Sequence, residues 1–342
     1  MNLLRRTGLF EQHSNLGARF VEFSGWTLPV QFTSIVKEHQ AVRASAGVFD
    51  VSHMGRFELS GPDAHTYLQE VLSNDLDSIN AGEAQYTLLL NEAGGIVDDL
   101  IAYRRLDDGY LIVGNAANRA LYVSLFPLAN DISDETAMLA VQGPEALTRL
   151  GIDIKEFAWR DETVLGIKCM VAGTGYTGER GCELICQIQD AEVLWQRILQ
   201  KGVVPCGIGA RETLRLEVCY RLHGQDITAS GDPYSAGLGW VVSQKKSFVG
   251  SDALAVIRNE GIREKLVAFV MQEKGIPRTG MPVLSGGIVT SGAYSPMLET
   301  GIGLAYVKTE DSAPGTDLVV DIRGRERHAS IVECPIYRSK EG

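Results

Sequence analysis

The order of strand-like segments along the chain most restricts what it can fold into. Short apolar runs rich in β-branched residues follow one another from residue 57 to residue 187: Phe57–Leu59, Gln85–Leu90, Asp99–Arg104, Tyr110–Val113, Met138–Val141, Cys169–Ala172 and Cys182–Gln187. Amphipathic helical spacing stands out in two places, after Gly61-Pro62-Asp63 and after Asp190-Ala191-Glu192. A doubly wound fold would alternate strands with long helices throughout, so this order predicts an α+β fold with antiparallel sheets.

The chain changes character beyond Val249. Short strand-like runs separated by glycine follow, at Lys265–Met271, Pro282–Thr290, Gly301–Val307 and Leu318–Ile322. We find no long helical period between Val249 and the C-terminus, so this part is expected to form a small β-barrel or sandwich. With 342 residues the whole chain is long enough for two or three packed units.

Charge and hydropathy restrict the partners. The formal net charge of −11 argues against non-specific binding of nucleic acid, which requires a basic face, so we expect no nucleic-acid partner. No run of about 18 apolar residues occurs, so we expect no membrane span. The apolar start of the chain is interrupted by Glu11, Gln12 and His13, which argues against a secretory signal.

The six cysteines carry no CxxC pair. Cys182 and Cys186 lie on a strand-like run, where four residues span about 13 Å, too far for two ligands of one small ion. We therefore expect no metal, thiols that are buried or half-buried, and a reducing compartment, either the cytoplasm or an organelle matrix.

The segment Gly173–Gly178 matches the dinucleotide fingerprint G-x-G-x-x-G letter for letter. That motif works only where its last glycine packs a helix whose N-terminus faces a pyrophosphate. Here Glu179–Cys186 follows, which is typical of a hairpin returning into a strand, and Glu179 would repel phosphate. We therefore expect no NAD, and interpret Gly175–Gly178 as a β-turn whose residues also line a site.

A glycine-rich hairpin, Asn91–Gly95, precedes two adjacent carboxylates, Asp98 and Asp99, at the start of an apolar strand. Neighbours on a strand face opposite sides, so one should point to solvent or a cap and the other to the interior. Capping of the turn is the simpler interpretation of either residue alone. An inward carboxylate among aromatic residues such as Tyr86 and Tyr103 would be a candidate acid or base.

Six ordered blocks, which span nearly the whole chain, resemble the T-protein family of the glycine cleavage system. The blocks are Phe23–Trp26, Gly47–Gly55, Gly94–Leu100, Gly173–Glu179, Gly207–Glu217, and Thr290–Gly292 with Ser295-Pro296. The resemblance implies a three-domain cloverleaf: two α+β domains with antiparallel sheets, a C-terminal β-barrel and a folate site at the centre. Domain 1 would comprise residues 1–54 and 135–244, domain 2 residues 55–134, and domain 3 residues 245–342.

The resemblance also implies the site residues. Asp99 corresponds to the family's catalytic carboxylate, Arg211 to a folate-contacting arginine and Glu183 to the pterin ligand, a role that suits a carboxylate because it accepts two adjacent N–H groups at once. Without the resemblance, Glu183 would be a solvated residue at a strand edge and Arg211 a surface residue. The other expected folate contacts, of which the aromatic ones could equally be core residues, are Met54, Tyr86, Tyr103, Asn115, Tyr176, Trp240 and Tyr337 or its neighbour Arg338.

The implied activity is an aminomethyltransferase of the glycine cleavage system. It would transfer the methylene of an aminomethyl group from a dihydrolipoyl carrier, the H-protein, to tetrahydrofolate as co-substrate, giving 5,10-methylenetetrahydrofolate, ammonia and the dihydrolipoyl carrier. This transfer needs one carboxylate and neither a metal nor a protein nucleophile. His53 is therefore interpreted as structural, since nothing near it in the sequence forms a triad.

Two other functions stay open. A folate-dependent demethylase of a small amine or sulfonium would share the folate ligands, although Asp98-Asp99-Leu100 favours the lipoyl carrier. A non-enzymatic folate-binding protein of iron–sulfur assembly would carry a Lys-Gly-Cys-Tyr-x-Gly motif, and Lys246–Gly250 lacks its cysteine. The match is loosest over Asn118–Thr136, which is short for this family, so a helix there should be trimmed or lost.

Overall fold

The computed structural model describes residues 4–107, 109–126 and 129–339. The helices in chain order are α1 Phe10–Asn15, α2 Ile35–Ala44, α3 Ala64–Val71, α4 Arg119–Leu125, α5 Ala146–Leu150, α6 Ala191–Gln200, α7 Ile208–Glu217 and α8 Ser251–Glu260. The strands are β1 Arg19–Phe23, β2 Trp26–Gln31, β3 Gly47–Asp50, β4 Gly55–Leu59, β5 Ala84–Leu90, β6 Ile96–Arg104, β7 Tyr110–Gly114, β8 Asn130–Asp131, β9 Thr136–Gln142, β10 Trp159–Val164, β11 Ile167–Ala172, β12 Gly181–Gln187, β13 Val204–Pro205, β14 Glu264–Met271, β15 Pro282–Val283, β16 Gly287–Ser295, β17 Thr300–Lys308, β18 Asp317–Asp321 and β19 Glu326–Val332.

A six-stranded sheet has the order β10-β11-β12-β9-β3-β13, and its pairs are antiparallel except for the short β13–β3 edge. One face packs on α6 through a core in which Trp195 is fully buried. The strand β12 lies between β11 and β9, so the residues of β12 are well inside the sheet. Glu183 therefore occupies a central strand rather than a sheet edge.

A five-stranded antiparallel sheet has the order β5-β6-β7-β4-β8. Along β6 the side chains alternate: Leu100 and Ala102 join the core under α3 and α4, whereas Ile101 and Tyr103 join a cluster shared with the six-stranded sheet. Because of that shared cluster, residues on the second face of β6 point towards the first sheet.

The C-terminal strands close into a barrel of order β14-β17-β16-β15-β18-β19, with β19 returning to pair with β14. Its inner core contains Phe269 and Val289. The barrel contacts the rest of the molecule through α7, whose Leu216 packs with Ala268 and Leu304. The helix α7 is thus placed between the six-stranded sheet and the barrel.

The predicted α+β fold, with two sheet domains and a C-terminal barrel, is confirmed. The strands of each sheet fall within the residue ranges expected for domains 1, 2 and 3, while the exact boundaries between the domains stay a prediction. Among the described residues no helix is long and apolar enough to cross a membrane. All six cysteines are free; five are buried, whereas Cys334 is exposed, contrary to the expectation for that residue.

One helix differs from the expectations. The ten-residue helix α8 lies beyond Val249, where we expected no long helical period; its only buried residue is Leu254, so its apolar stripe is weak. Leu254 packs against Leu88 and Ile96 of the five-stranded sheet rather than the barrel. In the short segment where a helix was expected to be trimmed or lost, α4 spans seven residues and buries Tyr122, so a helix is present there and its trimming stays a prediction.

Candidate active site

The two adjacent aspartates occupy opposite faces of β6. Asp99 shares its face with Ile101 and Tyr103, towards the six-stranded sheet, and is half-buried. Asp98 faces α4 and is 0% exposed, and its Oδ2 accepts a hydrogen bond of 2.5 Å from the Tyr122 hydroxyl. The expectation that one carboxylate points to solvent or a cap is wrong, because α4 covers the second face of the strand.

Neutral donors surround the Asp99 carboxylate. The Tyr86 hydroxyl donates to Oδ2 at 3.0 Å, and the Asn115 side-chain amide donates to Oδ1 at 2.8 Å. Tyr86 comes from β5, which pairs with β6, and Asn115 directly follows β7 on the other side of β6. The sheet itself therefore brings both donors to the acid.

The surroundings of Asp99 raise its pKa. Burial is the largest cause, the negative charge of Asp98 adds to it, and the hydrogen bonds from Tyr86 and Asn115 partly offset both. The result is a pKa of about 6, against an ordinary value of 3.8. A carboxylate with this pKa is ionised at neutral pH and remains basic enough to take up a proton.

Aromatic side chains lie beside this carboxylate. Tyr86 stacks on Trp240 with ring centroids 5.8 Å apart and an interplanar angle of 22°, and Trp240 is 68% exposed. Tyr176, in the loop before β12, donates its hydroxyl to the carbonyl of Arg221, and Asp99 contributes to raising the pKa of Tyr176, although burial is the larger cause. Flat apolar surfaces next to an acid suit an aromatic ligand.

Glu183 is the second acid of the site and is 8% exposed. The Thr174 hydroxyl donates to its Oε2 at 2.5 Å, and the Tyr103 hydroxyl lies 3.1 Å from the same Thr174 oxygen. Burial raises the pKa of Glu183, while Thr174 and Arg211 oppose the rise. Tyr103 itself is fully buried, and its hydroxyl reaches Glu183 through Thr174, so it helps to orient the acid.

Arg211 interacts with Glu183 and with Tyr176, the ring that also senses the charge of Asp99. Its guanidinium carbon is 4.5 Å from the centroid of the Tyr176 ring, and the charge of Glu183 opposes the lowering of its pKa by burial. Within the described part of the chain its Nη1 is buried and has no hydrogen-bond partner. A buried donor without a partner is costly, so it is suited to a ligand acceptor.

Two other expected folate contacts, Met54 and Tyr337, stay predictions. Met54 is partly buried and packs on the cluster between the two sheets. Tyr337 lies over Arg43, with 4.5 Å between the guanidinium carbon and the ring centroid, and its backbone N–H donates to the Glu217 carbonyl at 2.8 Å. Neither set of contacts reaches the Asp99 carboxylate.

His53 is buried, with 4% exposure, and faces the rings of Phe23 and Trp26. Burial and, next, the positive charge of Arg211 lower the pKa of His53 to about 4. It is therefore neutral at physiological pH, as a structural histidine would be.

Sequence reasoning missed Thr174 and Tyr122, which orient Glu183 and Asp98. Thr174 lies between two glycines of the Gly173–Glu179 block, and its hydroxyl is the feature of the sequence that could have identified it. Tyr122 lies in the segment where the family pattern is loosest, so no signal in the sequence singled it out. The segment after Gly178 continues into β12 and not into a helix, as we expected for a chain without a dinucleotide site.

Comparison with known families agrees with this architecture. Residues 9–246 match the family model of the GCVT N-terminal domain, and residues 264–338 match that of the glycine cleavage T-protein C-terminal barrel domain. The chain belongs to the glycine cleavage T-protein family. The two matched segments coincide with the two sheet domains and with the barrel.

Relatives in this T-protein family match the chain over its length. An aminomethyltransferase of Geobacillus sp. (strain WCH70) is 44% identical over 98% of this chain and 99% of its own length. One of Halalkalibacterium halodurans is 42% identical over 99% of both. The crystal structure of glycine cleavage system aminomethyltransferase T from Bartonella henselae has a TM-score of 0.92 at 30% identity, and covers 98% of this chain and 99% of that one. The predicted family and class of enzyme, an aminomethyltransferase, are confirmed.

Proposed function

We propose that the chain transfers the methylene of an aminomethyl group from a dihydrolipoyl carrier protein to tetrahydrofolate, with Asp99 as the catalytic carboxylate. The observation that carries this assignment is the setting of Asp99, a half-buried acid with a pKa of about 6 that contacts two neutral donors beside aromatic rings. Membership of the T-protein family supports the reaction class.

The reaction balances without an oxidant. The carbon–nitrogen and carbon–sulfur bonds of the aminomethyl thioether break, and the carbon forms bonds to the two folate nitrogens, N5 and N10. Each nitrogen loses one proton; one proton leaves with ammonia and the other ends on the carrier sulfur. The products are 5,10-methylenetetrahydrofolate, ammonia and the dihydrolipoyl carrier, and no step as written requires a metal.

In this reaction Asp99 holds and moves a proton. An ionised carboxylate accepts a hydrogen bond from a folate N–H, and stabilises the positive charge that develops on the nitrogen as its bond to carbon forms. Because its pKa lies close to neutrality, Asp99 can take up that proton and release it to the leaving group.

The folate would lie between the two acids. Glu183 supplies a carboxylate for the adjacent N–H groups of the pterin, and Arg211 supplies the unpartnered Nη1 for a carbonyl or carboxylate oxygen. Tyr86 and Trp240 offer stacked rings at the exposed side. The free thiols are consistent with a reducing compartment, for which we propose the cytoplasm, and the carrier would be the lipoyl H-protein.

The test is a coupled assay with purified protein, tetrahydrofolate and aminomethylated lipoyl carrier, scored for ammonia and methylenetetrahydrofolate. Asp99→Asn should lower turnover by about 10²-fold or more with folate affinity within a few-fold, in the range of a lost general acid or base. The control Asp161→Asn removes the same charge from an exposed position on β10 and should behave as wild type.

Wild-type turnover in Asp99→Asn would overturn the residue assignment. Tight folate binding without carrier-dependent turnover in either protein would overturn the proposed reaction. It would favour the folate-dependent demethylase, to be screened with small methylated amines and sulfonium compounds.

A further inference from the structure

The side-chain amide of Asn115 connects the two aspartates of β6. Its Nδ2 lies 2.7 Å from Asp98 Oδ1, 2.8 Å from Asp99 Oδ1 and 3.1 Å from the Asp99 carbonyl oxygen. One amide nitrogen has only two hydrogens, so both are directed into this group of acceptors. The orientation of Asn115, and hence its contact with Asp99, is fixed in part by Asp98.

Asp98 is held firmly on its own side of the strand. Its Oδ2 accepts from Tyr122, and its Oδ1 accepts from Asn115 and from the Asp99 backbone N–H at 3.0 Å. A Cβ at position 114 would overlap the Tyr122 phenol ring, so Gly114 is what allows that hydroxyl to reach the acid. Three donors on one carboxylate favour its ionised form, although burial raises its pKa.

We propose that Asp98 is a positioning residue for the transfer: it holds the Asn115 amide against the Asp99 carboxylate and places a second negative charge directly behind it. This inference rests on the proposed role of Asp99. The charge of Asp98 disfavours a second negative charge nearby, so it keeps Asp99 more basic than an isolated buried acid with the same donors. Asp98 would act without touching the substrate.

Other groups also face the two carboxylates and contribute to their titration. They come from β5, α4, the loop before β12 and the loop after α7, and they are Tyr86, Tyr122, Tyr176 and His223. His223 Nε2 is 3.9 Å from Asp98 Oδ1 and 2.8 Å from the Val97 carbonyl oxygen. Each of them is unchanged in the two variants used for the test.

The two variants should move the pH profile in opposite directions. Asp98→Asn removes the charge, so the pKa of Asp99 should fall and the acidic limb of kcat/KM should move down by about one pH unit, with kcat at neutral pH falling about tenfold and the folate Kd within about threefold. Asn115→Ala removes a donor that stabilises both ionised acids, so the limb should move up. Asp161→Asn is the matched exposed control.

A purely structural role for Asp98 would lower kcat without moving the limb, and that result would overturn the proposal. If Asp98→Asn does not fold, an unmoved limb in Asn115→Ala is the overturning result. The ionisation of Asp99 is also measured directly, by carboxyl carbon NMR of wild type and variants as a function of pH. This measurement needs no turnover, so an inactive wild type would count against the proposed function while the NMR shift still decides the proposal about Asp98.

Discussion

Buried carboxylates occur in two contrasting regions of this molecule. On β6, the described hydrogen bonds to Asp98 and Asp99 come from tyrosine hydroxyls, asparagine amides and a backbone N–H, and the pKa of each is raised, with burial as the largest cause. Where α7 meets the barrel, Glu217 is as fully buried as Asp98 but lies 2.9 Å from Arg43 Nη2 and 3.1 Å from His39 Nε2. Burial alone would raise the pKa of Glu217, yet these partners hold it below its ordinary value.

The difference separates stability from reactivity. An acid that faces a guanidinium is locked in its ionised form, and it ties together the elements that supply the two charges. Glu217 does this for α2, α7 and the β16–β17 turn, since Ser295 also donates to it at 2.5 Å. An acid that is given only neutral donors keeps a pKa within reach of neutrality, which is the property that proton transfer requires.

The largest predicted effect in this contrast between the two regions is a loss of stability when Glu217 is replaced. Glu217→Gln should lower the free energy of unfolding by about 3–5 kcal/mol, because it breaks the buried ion pair with Arg43 and leaves Glu179, also at 2.9 Å, as the carboxylate partner of that guanidinium. Urea unfolding followed by tryptophan fluorescence measures it, with Glu310→Gln as the exposed control.

The deficit in Glu217→Gln should shrink at low pH. A lowered folded-state pKa means that Glu217 contributes stability above its unfolded pKa, and that this contribution is lost as the pH falls through the folded value. A deficit below 1 kcal/mol at pH 7 would contradict the assignment of Glu217 as a stabilising acid.

Glu183, unlike Glu217, is expected to contribute to ligand binding rather than to stability. Glu183→Gln should weaken tetrahydrofolate binding by about 1.5–3 kcal/mol, roughly ten- to hundredfold in Kd, because a charged acceptor is lost. Calorimetric titration measures the change, and kcat at saturating folate should stay within a few-fold of wild type. Thr174→Val, which removes only the hydroxyl that orients Glu183, should give a smaller loss of affinity. Unchanged binding in Glu183→Gln would show that the pterin lies elsewhere.

The pKa of Asp99 predicts the pH dependence of turnover. If the reaction needs the ionised carboxylate, kcat/KM should fall as the pH drops through about 6 and decline tenfold per unit well below that value. His53, with a pKa of about 4, titrates too low to produce this limb. An unmoved limb in the residual turnover of Asp99→Asn would contradict the assignment of the limb to Asp99.

Much of the fold could be predicted because its strands follow simple rules. The runs around β5, β6, β9 and β12 are apolar, rich in β-branched residues and bounded by turns, and the structure places a strand at each. Helices such as α2 and α8 are harder to predict from the sequence. The buried residues of α2 include Glu38, His39 and Arg43, and α8 buries only Leu254. A helix stabilised by buried ion pairs shows no clean apolar stripe in its sequence.

The site could be predicted only as a set of residues. Asp99, Tyr86 and Asn115 were expected together, and the pairing of β5, β6 and β7 is what brings them into contact. The burial of Asp98 could not be foreseen, because it depends on α4 covering one face of β6 and on Gly114 admitting the Tyr122 ring. Alternation along a strand predicts which side a residue faces, but the element that covers that side is determined by the tertiary structure.

The smallest predicted effect tests the contrast between Asp99 and Glu217 most directly. If Asp99 is kept in an unfavourable environment for the sake of reactivity, Asp99→Asn should not destabilise the fold. Its free energy of unfolding at pH 7 should equal that of wild type or exceed it by about 1 kcal/mol, because an uncharged amide avoids the cost of burying a carboxylate.

The pH dependence of the free energy of unfolding gives the sign of the contribution of Asp99 to stability. A folded-state pKa above the unfolded value means that the wild type binds a proton on folding, so its stability relative to Asp99→Asn should fall as the pH rises from 4 to 7. Parallel urea titrations of wild type, Asp99→Asn and Asp161→Asn at pH 5 and pH 7 measure the difference. Loss of several kcal/mol in Asp99→Asn would instead place Asp99 with Glu217 among the stabilising acids, and the contrast between the two regions would no longer hold.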